Sequence, residues 1–379
     1  MSNGTETRRI TIIGLGLIGA SIGMRLKAAA LPNIEIIGQD SDRGAEREAE
    51  KIGAIDRAEH DPRRAVEGAS LVILATPIIA LREVFAEIAP HLMEGAIVTD
   101  TASTKADVLR WAKELLPEHI SFIGGHPMAG KETQGTANAD PALFEGKAYC
   151  LCPTVDAAPG AITSVMGLAE LLGAEPMFIE GDEHDVYAAA ISHLPLVTAT
   201  VLFNMMRASP SWEDLGLLAS SGFRDMTRLA SGDPVMSSAI LRTNREAIIH
   251  WIERMTTELN KMRDLLNDSR DEDLLQLFAT TQMQRDEFLT NPPRRQRRSV
   301  TPDVDSKETV MSMIVGGMMA RNMKRIAEMP EAMEKKHEII TPEGEKKKIS
   351  MADKMAEDIR RDLEKLERER EEKAQRKKD

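Results

Sequence analysis

The sequence predicts an α/β domain, then an all-α domain, then a charged and mostly helical C-terminal extension. Three observations support this order. From Arg9 to about Ile179, short β-branched runs alternate with helix-patterned stretches, as in βαβ units on a parallel sheet. The strand signal stops near Gly181, and apolar helical patterns continue to Leu266. Near Asn291 the run NPPRRQRRSVTPD concentrates prolines and basic residues, the composition of a linker. The expected domains are residues 8–180, 181–290 and 291–379. A chain of 379 residues accommodates two cores and an extension.

The candidate strands are residues 10–13, 34–39, 71–75, 97–99, 122–124 and 148–152. The fragment at 71–75 is apolar on both faces, as a central parallel strand should be. In the second domain, residues 183–206 read as one long helix that is apolar nearly all round. Such a helix needs burial, and a second copy of the chain is the expected cover. Pro195 should kink it. Residues 237–266 read as another long helix, with Ile240, Ala247, Ile248, Ile252, Met255, Leu259 and Met262 at helical spacing. The extension suggests a Met-rich helix, a hairpin turning at Pro342, Glu343 and Gly344, and a charged helix from Ser350. No role follows for it from its residues.

Bulk chemistry removes several classes of function. A formal net charge of −12 argues against a general nucleic-acid binder, which needs clustered cations. It leaves room for a small anionic ligand held by one well-placed arginine. The apolar fraction of 42% is that of a globular protein. Cys150 and Cys152 share one face of a predicted strand and read as buried thiols in a reducing compartment. The opening MSNGTETRR carries no apolar signal region. An apolar run near residues 311–320 is too short to span a bilayer. A soluble, cytoplasmic protein with no membrane or nucleic-acid partner is expected.

A cofactor site is legible at the first strand. Residues 10–13 run into Gly14-Leu15-Gly16-Leu17-Ile18-Gly19 and then a helical pattern. Gly14 permits the tight turn, Gly16 lets backbone approach a pyrophosphate, and Gly19 allows close helix–strand packing. Asp40 ends the second strand about 20 residues after the last glycine, where an acid takes the ribose 2′-hydroxyl. The pattern predicts a Rossmann-type dinucleotide site. Asp40 favours NAD over NADP, because a 2′-phosphate would meet its charge, although Arg43 is near enough to blunt that preference. Thr76 and Pro77, at the carboxyl end of a central strand, should also border the cofactor.

Four polar clusters follow: residues 100–105 (DTASTK), 124–132 (GGHPMAGKE), 192–195 (SHLP) and 222–228 (GFRDMTR). Each has a bland alternative. Ser103 could cap the helix that starts near Lys105. His193 could be a hydrogen-bonded core residue. Asp225 and Arg228 could be an ordinary i,i+3 pair. His126 is the strongest candidate, since it follows a strand and two glycines at the edge where catalytic groups gather.

Taken together, GLGLIG, TDTASTK, GGHPMAGKE, SHLP and GFRDMTRLASGDP occur in the order and context of prephenate/arogenate dehydrogenases, and residues 9–266 resemble that family. The resemblance implies a Rossmann domain followed by a helical dimerisation domain, in a homodimer. It implies NAD-dependent oxidative decarboxylation of prephenate to 4-hydroxyphenylpyruvate in tyrosine biosynthesis, or of arogenate to tyrosine. His126 would accept the proton of the ring hydroxyl as hydride leaves. Ser103 would support that histidine and the nicotinamide. Arg228 would bind a substrate carboxylate, His193 would line the pocket, and Glu132 and Asp225 would form an ionic network with the arginine. The chemistry suits these residues: a base near neutral pKa suffices, a fixed anionic end needs a forked cation, and aromatisation drives decarboxylation without a metal.

The sequence also departs from the family pattern. Ala102 stands where many relatives have glycine, and Ser237 where some prephenate-using relatives carry an aromatic residue. Lys131, in the loop expected to face the substrate side chain, would attract a pyruvyl carboxylate and repel an ammonium, which favours prephenate. Two other readings stay open: another oxidoreductase of similar architecture, such as a β-hydroxyacid dehydrogenase, and a non-catalytic NAD(H)-binding dimeric sensor.

Overall fold

The structure, a computed structural model, describes residues 8–131, 133–293, 337–340 and 346–349. Its centre is a sheet of β1 (Arg8–Ile13), β2 (Ile34–Gln39), β3 (Arg57–Ala58), β4 (Ala69–Leu74), β5 (Ile97–Asp100), β6 (Ser121–Pro127), β7 (Ala148–Pro153) and β8 (Glu175–Phe178). The strands pair in the order β3-β2-β1-β4-β5-β6-β7-β8. From β3 to β6 every pairing is parallel. This is the doubly wound Rossmann arrangement, and the strand order reverses between β1 and β4, where such sheets bind ligands.

The helices around this sheet are α1 (Leu17–Ala28), α2 (Arg43–Lys51), α3 (Pro62–Val66), α4 (Ile78–Ile88), α5 (Ala106–Leu115) and α6 (Pro159–Leu171). Alternation along β4 divides the core. Leu71 and Ile73 join one buried cluster with residues of α1 and α6. Val72 and Leu74 join a second with residues of α4 and α5. The expected two-faced apolar strand is therefore present, and it lies at the centre.

One expectation about the sheet needs correction. β7 runs antiparallel to β6, with His126 opposite Cys150, so the sheet is mixed. The physical reason is the connection: the described residues of 128–147 contain no crossover helix, so β7 starts at the end where β6 stops. That leaves the whole connection at the carboxyl edge of the sheet. It is fastened there by Thr136 Oγ1 donating to Leu15 O (2.6 Å) and by Asp140 N donating to Ser21 Oγ (2.9 Å). Short strands β3 and β8 were not among the expected ones; at two and four residues they carry too little pattern to read.

After β8 the chain is helical: α7 (Gly181–Ala188), a π-helical turn (Ala189–His193), α8 (Leu194–Arg207), α9 (Trp212–Leu218), α10 (Ser221–Thr227), a 3-10 turn (Arg228–Ser231), α11 (Pro234–Thr243), α12 (Arg245–Asn267) and α13 (Asp271–Thr290). Ala189, Ala239, Ile240 and Ile248 join the second core cluster and dock this part onto the sheet domain. Two helix expectations change. The rod over residues 183–206 is not uniform, because Pro195 lacks the N–H of a regular turn and the backbone widens into the π turn just before it. The helix expected over 237–266 is two helices, broken at Asn244, whose φ of −132° is not helical.

The rod Gly181–Arg207 is 27 residues long, and its most apolar 18-residue window has mean hydropathy 1.7, enough by length and composition to cross a membrane. Its most apolar window is only 22% buried, so full burial within one chain is not what happens. Ile191, Val201 and Met205 are exposed, and so are Leu217 and Leu218 (85% and 81%). In the extension, β9 (His337–Ile340) and β10 (Lys346–Ile349) pair antiparallel, with Ile340 opposite Lys346. They flank the expected turn, whose own residues lie outside those described, as do the expected Met-rich and charged helices.

Candidate active site

The glycine turn has the shape expected of it. Gly14 has φ +94°, and a Cβ there would lie 2.5 Å from Ala75 O. A Cβ on Gly19 would lie 1.9 Å from Gly14 O, so α1 approaches β1 as only glycine allows. Gly16 is the reverse case: nothing lies within 4 Å of its would-be Cβ. Gly16 caps α1 without any side-chain hydrogen bond, so the amides of Leu17 and Ile18 open α1 toward that space. Free amides at a helix start, facing open space beside a backbone with no side chain, fit a pyrophosphate.

Asp40 ends β2 and is oriented before any ligand arrives. Its Oδ2 accepts from Leu15 N (2.7 Å) and its Oδ1 from Asp42 N (2.8 Å). Across the crevice, Thr76 Oγ1 is buried and has no hydrogen-bond partner, and Pro77 is exposed at the start of α4. A buried hydroxyl left unpaired costs about 1–3 kcal/mol, so a ligand group that reached Thr76 would be favoured.

The second half of the site is a buried polar network below the carboxyl ends of β5 and β6. Lys105 and Asp100 are both fully buried. Lys105 Nζ donates to Asp100 Oδ2 and to Gly125 O (2.7 Å). Asp100 also accepts from Gly125 N (3.0 Å) and Ala102 N (2.8 Å). Gly125 must be glycine here, since a Cβ would lie 2.4 Å from Asp100 O. The pair therefore clamps both polar backbone atoms of the residue preceding His126.

A second carboxylate ties this clamp to the helical part. Asp185 on α7 accepts from Lys105 N (2.7 Å) and Ala106 N (2.9 Å). It thereby caps α5, and Ser103 does not: no side chain of the preceding segment caps that helix. His184 Nδ1 lies 2.8 Å from Asp185 Oδ1, and His184 Nε2 lies 2.8 Å from His126 Nδ1. Asn244 Nδ2 donates to Asp185 O (2.7 Å) and to His193 Nδ1 (3.1 Å). A carbonyl can only accept, so the amide orientation of Asn244 is fixed. His193 Nδ1 must then be an acceptor and Nε2 its N–H. That Nε2 is buried with no partner.

The electrostatics keep His126 and His193 neutral. Burial pushes the His126 pKa well below 6.5, helped by nearby His184, Lys105 and His193. Burial takes His193 down to about 4, with Asp185 opposing and His184 assisting. Burial also raises the neighbouring Cys150 thiol to about 11, so Cys150 and Cys152 are buried, free and protonated.

The expected site residues fall into two groups. His126, His193 and the half-buried Ser103 surround the buried network. Asp225 and Arg228 are exposed, on α10 and on the 3-10 turn that packs against α8. Lys131 is half-exposed and paired with Asp140 at 2.8 Å, so its charge is already partly answered. Glu132 lies outside the described residues. Sequence reasoning passed over Lys105, Asp100, His184, Asp185 and Asn244. The first two sit inside the DTASTK motif, and His184-Asp185 lies nine residues before His193, so their types were visible. Asn244 carried no signal, because it falls inside an unbroken apolar helical pattern.

Comparison with known proteins gives one consistent family. Residues 22–177 match the family model "Prephenate dehydrogenase, nucleotide-binding domain", and residues 180–280 match "Prephenate dehydrogenase, dimerization domain". The prephenate dehydrogenase of Bacillus subtilis is 33% identical over 293 residues, covering 77% of this chain and 78% of that protein. Among solved structures, the A. aeolicus prephenate dehydrogenase in complex with hydroxyphenyl propionate and NAD+ superposes with TM-score 0.70 at 27% identity. It covers 76% of this chain and 100% of that one. Synechocystis arogenate dehydrogenase superposes with TM-score 0.63 at 30% identity, covering 74% and 99%.

The clamp makes a direct prediction. Lys105→Met keeps the stem but leaves Asp100 as a buried charge without its counter-ion. Denaturant melts should show a loss of about 3–5 kcal/mol. A loss below about 1 kcal/mol would mean that Asp100 is held by its backbone donors alone.

Proposed function

The chain belongs to the prephenate dehydrogenase family, and from that premise we propose that it converts prephenate oxidatively to 4-hydroxyphenylpyruvate and carbon dioxide, with NAD as cofactor and His126 as the base. The observation that carries this is a neutral, buried imidazole on the clamped end of β6, at the same carboxyl edge of the sheet as the nucleotide cradle at Gly14–Gly19. NAD, when bound, supplies the hydride acceptor. His126 takes the proton of the ring hydroxyl as that carbon is oxidised. The ring carboxylate then leaves as carbon dioxide, and its bonding pair aromatises the ring to a phenolate. The same imidazolium returns the proton to that phenolate oxygen. The base is thus regenerated without a metal or an added acid.

The remaining residues have complementary roles in this reading. His193 offers its unpartnered Nε2–H to an anionic or carbonyl oxygen of the substrate. Arg228 supplies a charge-assisted contact to a carboxylate, with Asp225 and Glu132 setting its position. Ser103 would support His126 and the nicotinamide. Arogenate is the second reading for the substrate. It is supported by the Synechocystis relative and by the Lys131–Asp140 pair, which weakens the charge preference for a pyruvyl carboxylate.

Homodimerisation is part of the same proposal. The matched dimerization region spans residues 180–280, and the same helices expose Val201, Met205, Leu217 and Leu218. A second copy is the cover that such a surface needs. The rod Gly181–Arg207 carries His184, Asp185 and His193 into the sheet domain, which supports a core and dimer helix of a soluble, cytoplasmic enzyme over a membrane span. Detergent-free protein at micromolar concentration should scatter light as a dimer; a monomer would contradict this.

The activity itself is tested by NAD reduction with prephenate, by appearance of 4-hydroxyphenylpyruvate, and by repetition with arogenate. Asp40 predicts a higher kcat/KM with NAD than with NADP, and Asp40→Ser should narrow the ratio. A wild-type preference for NADP would overturn the cofactor assignment. Arg228→Ala should act mainly on KM, since its contact exists already in the ground state.

A further inference from the structure

His126 has two ring nitrogens, and only a nitrogen bearing a lone pair can take a proton. Which one does so depends on hydrogen bonds behind the ring. The chain behind His126 is short and directional. Asp185 accepts from two backbone amides, Lys105 N and Ala106 N, so it behaves as a carboxylate and can only accept. His184 Nδ1, 2.8 Å from Asp185 Oδ1, must therefore be an N–H donor. In the neutral ring its Nε2 is then an acceptor. His126 Nδ1, 2.8 Å from that Nε2, must be the donor in turn. The lone pair of His126 is left on Nε2.

We propose that His184, held by Asp185, is a positioning residue that locks His126 in the Nδ1–H tautomer, making Nε2 the proton-accepting nitrogen. This rests on the reading of His126 as the base and assigns a role to two residues outside the usual motifs. His184 and Asp185 are both buried, at 2% and 4% exposure, so water does not compete for either hydrogen bond. The two rings meet edge-on, with centroids 5.0 Å apart and planes at 70°. That geometry aims a ring N–H of one at a ring nitrogen of the other. Asp185 is fixed independently by its cap on α5, so the relay starts from an immobile group. When His126 becomes imidazolium, its Nδ1–H still has an acceptor. A doubly protonated His184 would remove that acceptor.

The test uses ring-nitrogen NMR and kinetics on the full chain. In the free wild-type protein, 15N–1H correlation spectra should show His126 as the Nδ1–H tautomer, with its signal assigned by loss in His126→Asn. An Nε2–H tautomer would overturn the proposal without reference to activity. His184→Asn keeps a donor near Asp185 but cannot reach His126. It should lower kcat about 10²-fold, with KM for substrate and cofactor within about threefold of wild type. His184→Gln places a carbonyl oxygen near the lost Nε2 and should recover at least tenfold of that loss. A purely structural role would move stability and KM and would show no rescue by Gln. If His126→Asn loses kcat while His184→Asn keeps it, the relay is wrong and the base stands. If His126→Asn itself keeps kcat, the reading beneath the relay is wrong.

Discussion

A fully buried lysine next to a fully buried aspartate is the constraint on which the site depends. Removing two charges from water costs several kcal/mol each, and here every polar atom involved is answered. Lys105 reaches Asp100 and Gly125 O, while Asp100 also takes the amides of Ala102 and Gly125. The lysine's own backbone amide is taken by Asp185. One ion pair thus joins the end of β5, the end of β6 and the first helix of the all-α part. His126 follows Gly125 directly, so the proposed base inherits the rigidity of the pair.

The same cluster sets the chemistry. Lys105 lies close enough to help hold His126 neutral, yet its charge is consumed by Asp100 and the Gly125 carbonyl. His184 and His193 are oriented by opposite faces of one residue, Asp185, through its carboxylate and, via Asn244, through its carbonyl. On the proposed tautomer His126 presents a lone pair through its contact with His184, while His193 presents an N–H. A base and a donor made from the same residue type suit a substrate that offers a hydroxyl to oxidise and oxygens to hold.

Much of this was legible in the sequence, for local reasons. The β1–Gly14–α1 turn, Asp40 at the end of β2 and His126 after paired glycines each announce themselves within about ten residues, because their function is a property of local backbone shape. The reversal of β7 was not legible, since it depends on the absence of a crossover helix rather than on any residue of β7. Nor was the break at Asn244, where a buried amide answering Asp185 and His193 overrides a strong helical pattern. Lys105 entered the sequence reading only as the start of a helix, and only the folded structure shows that it turns inward to Asp100 and Gly125 O. A local cap by Ser103 was the bland alternative for that residue, whereas α5 is capped by Asp185 from the helical part of the chain. Residues that work through long-range partners are the ones that single-chain patterns miss.

The pH dependence of kcat/KM for prephenate, measured for wild type and His126→Asn, tests the buried neutral base most directly. His126 lies near His184 from α7, Lys105 at the start of α5 and His193 from the π turn, and burial, helped by these groups, lowers its pKa well below 6.5. Protonation removes the lone pair, so wild-type kcat/KM should stay level as pH falls through 6.5 and decline only at more acidic pH. In His126→Asn the residual rate should lack that decline. A wild-type decline centred at or above the ordinary imidazole range, or an acidic limb that survives unchanged in His126→Asn, would contradict His126 as the group that takes the proton.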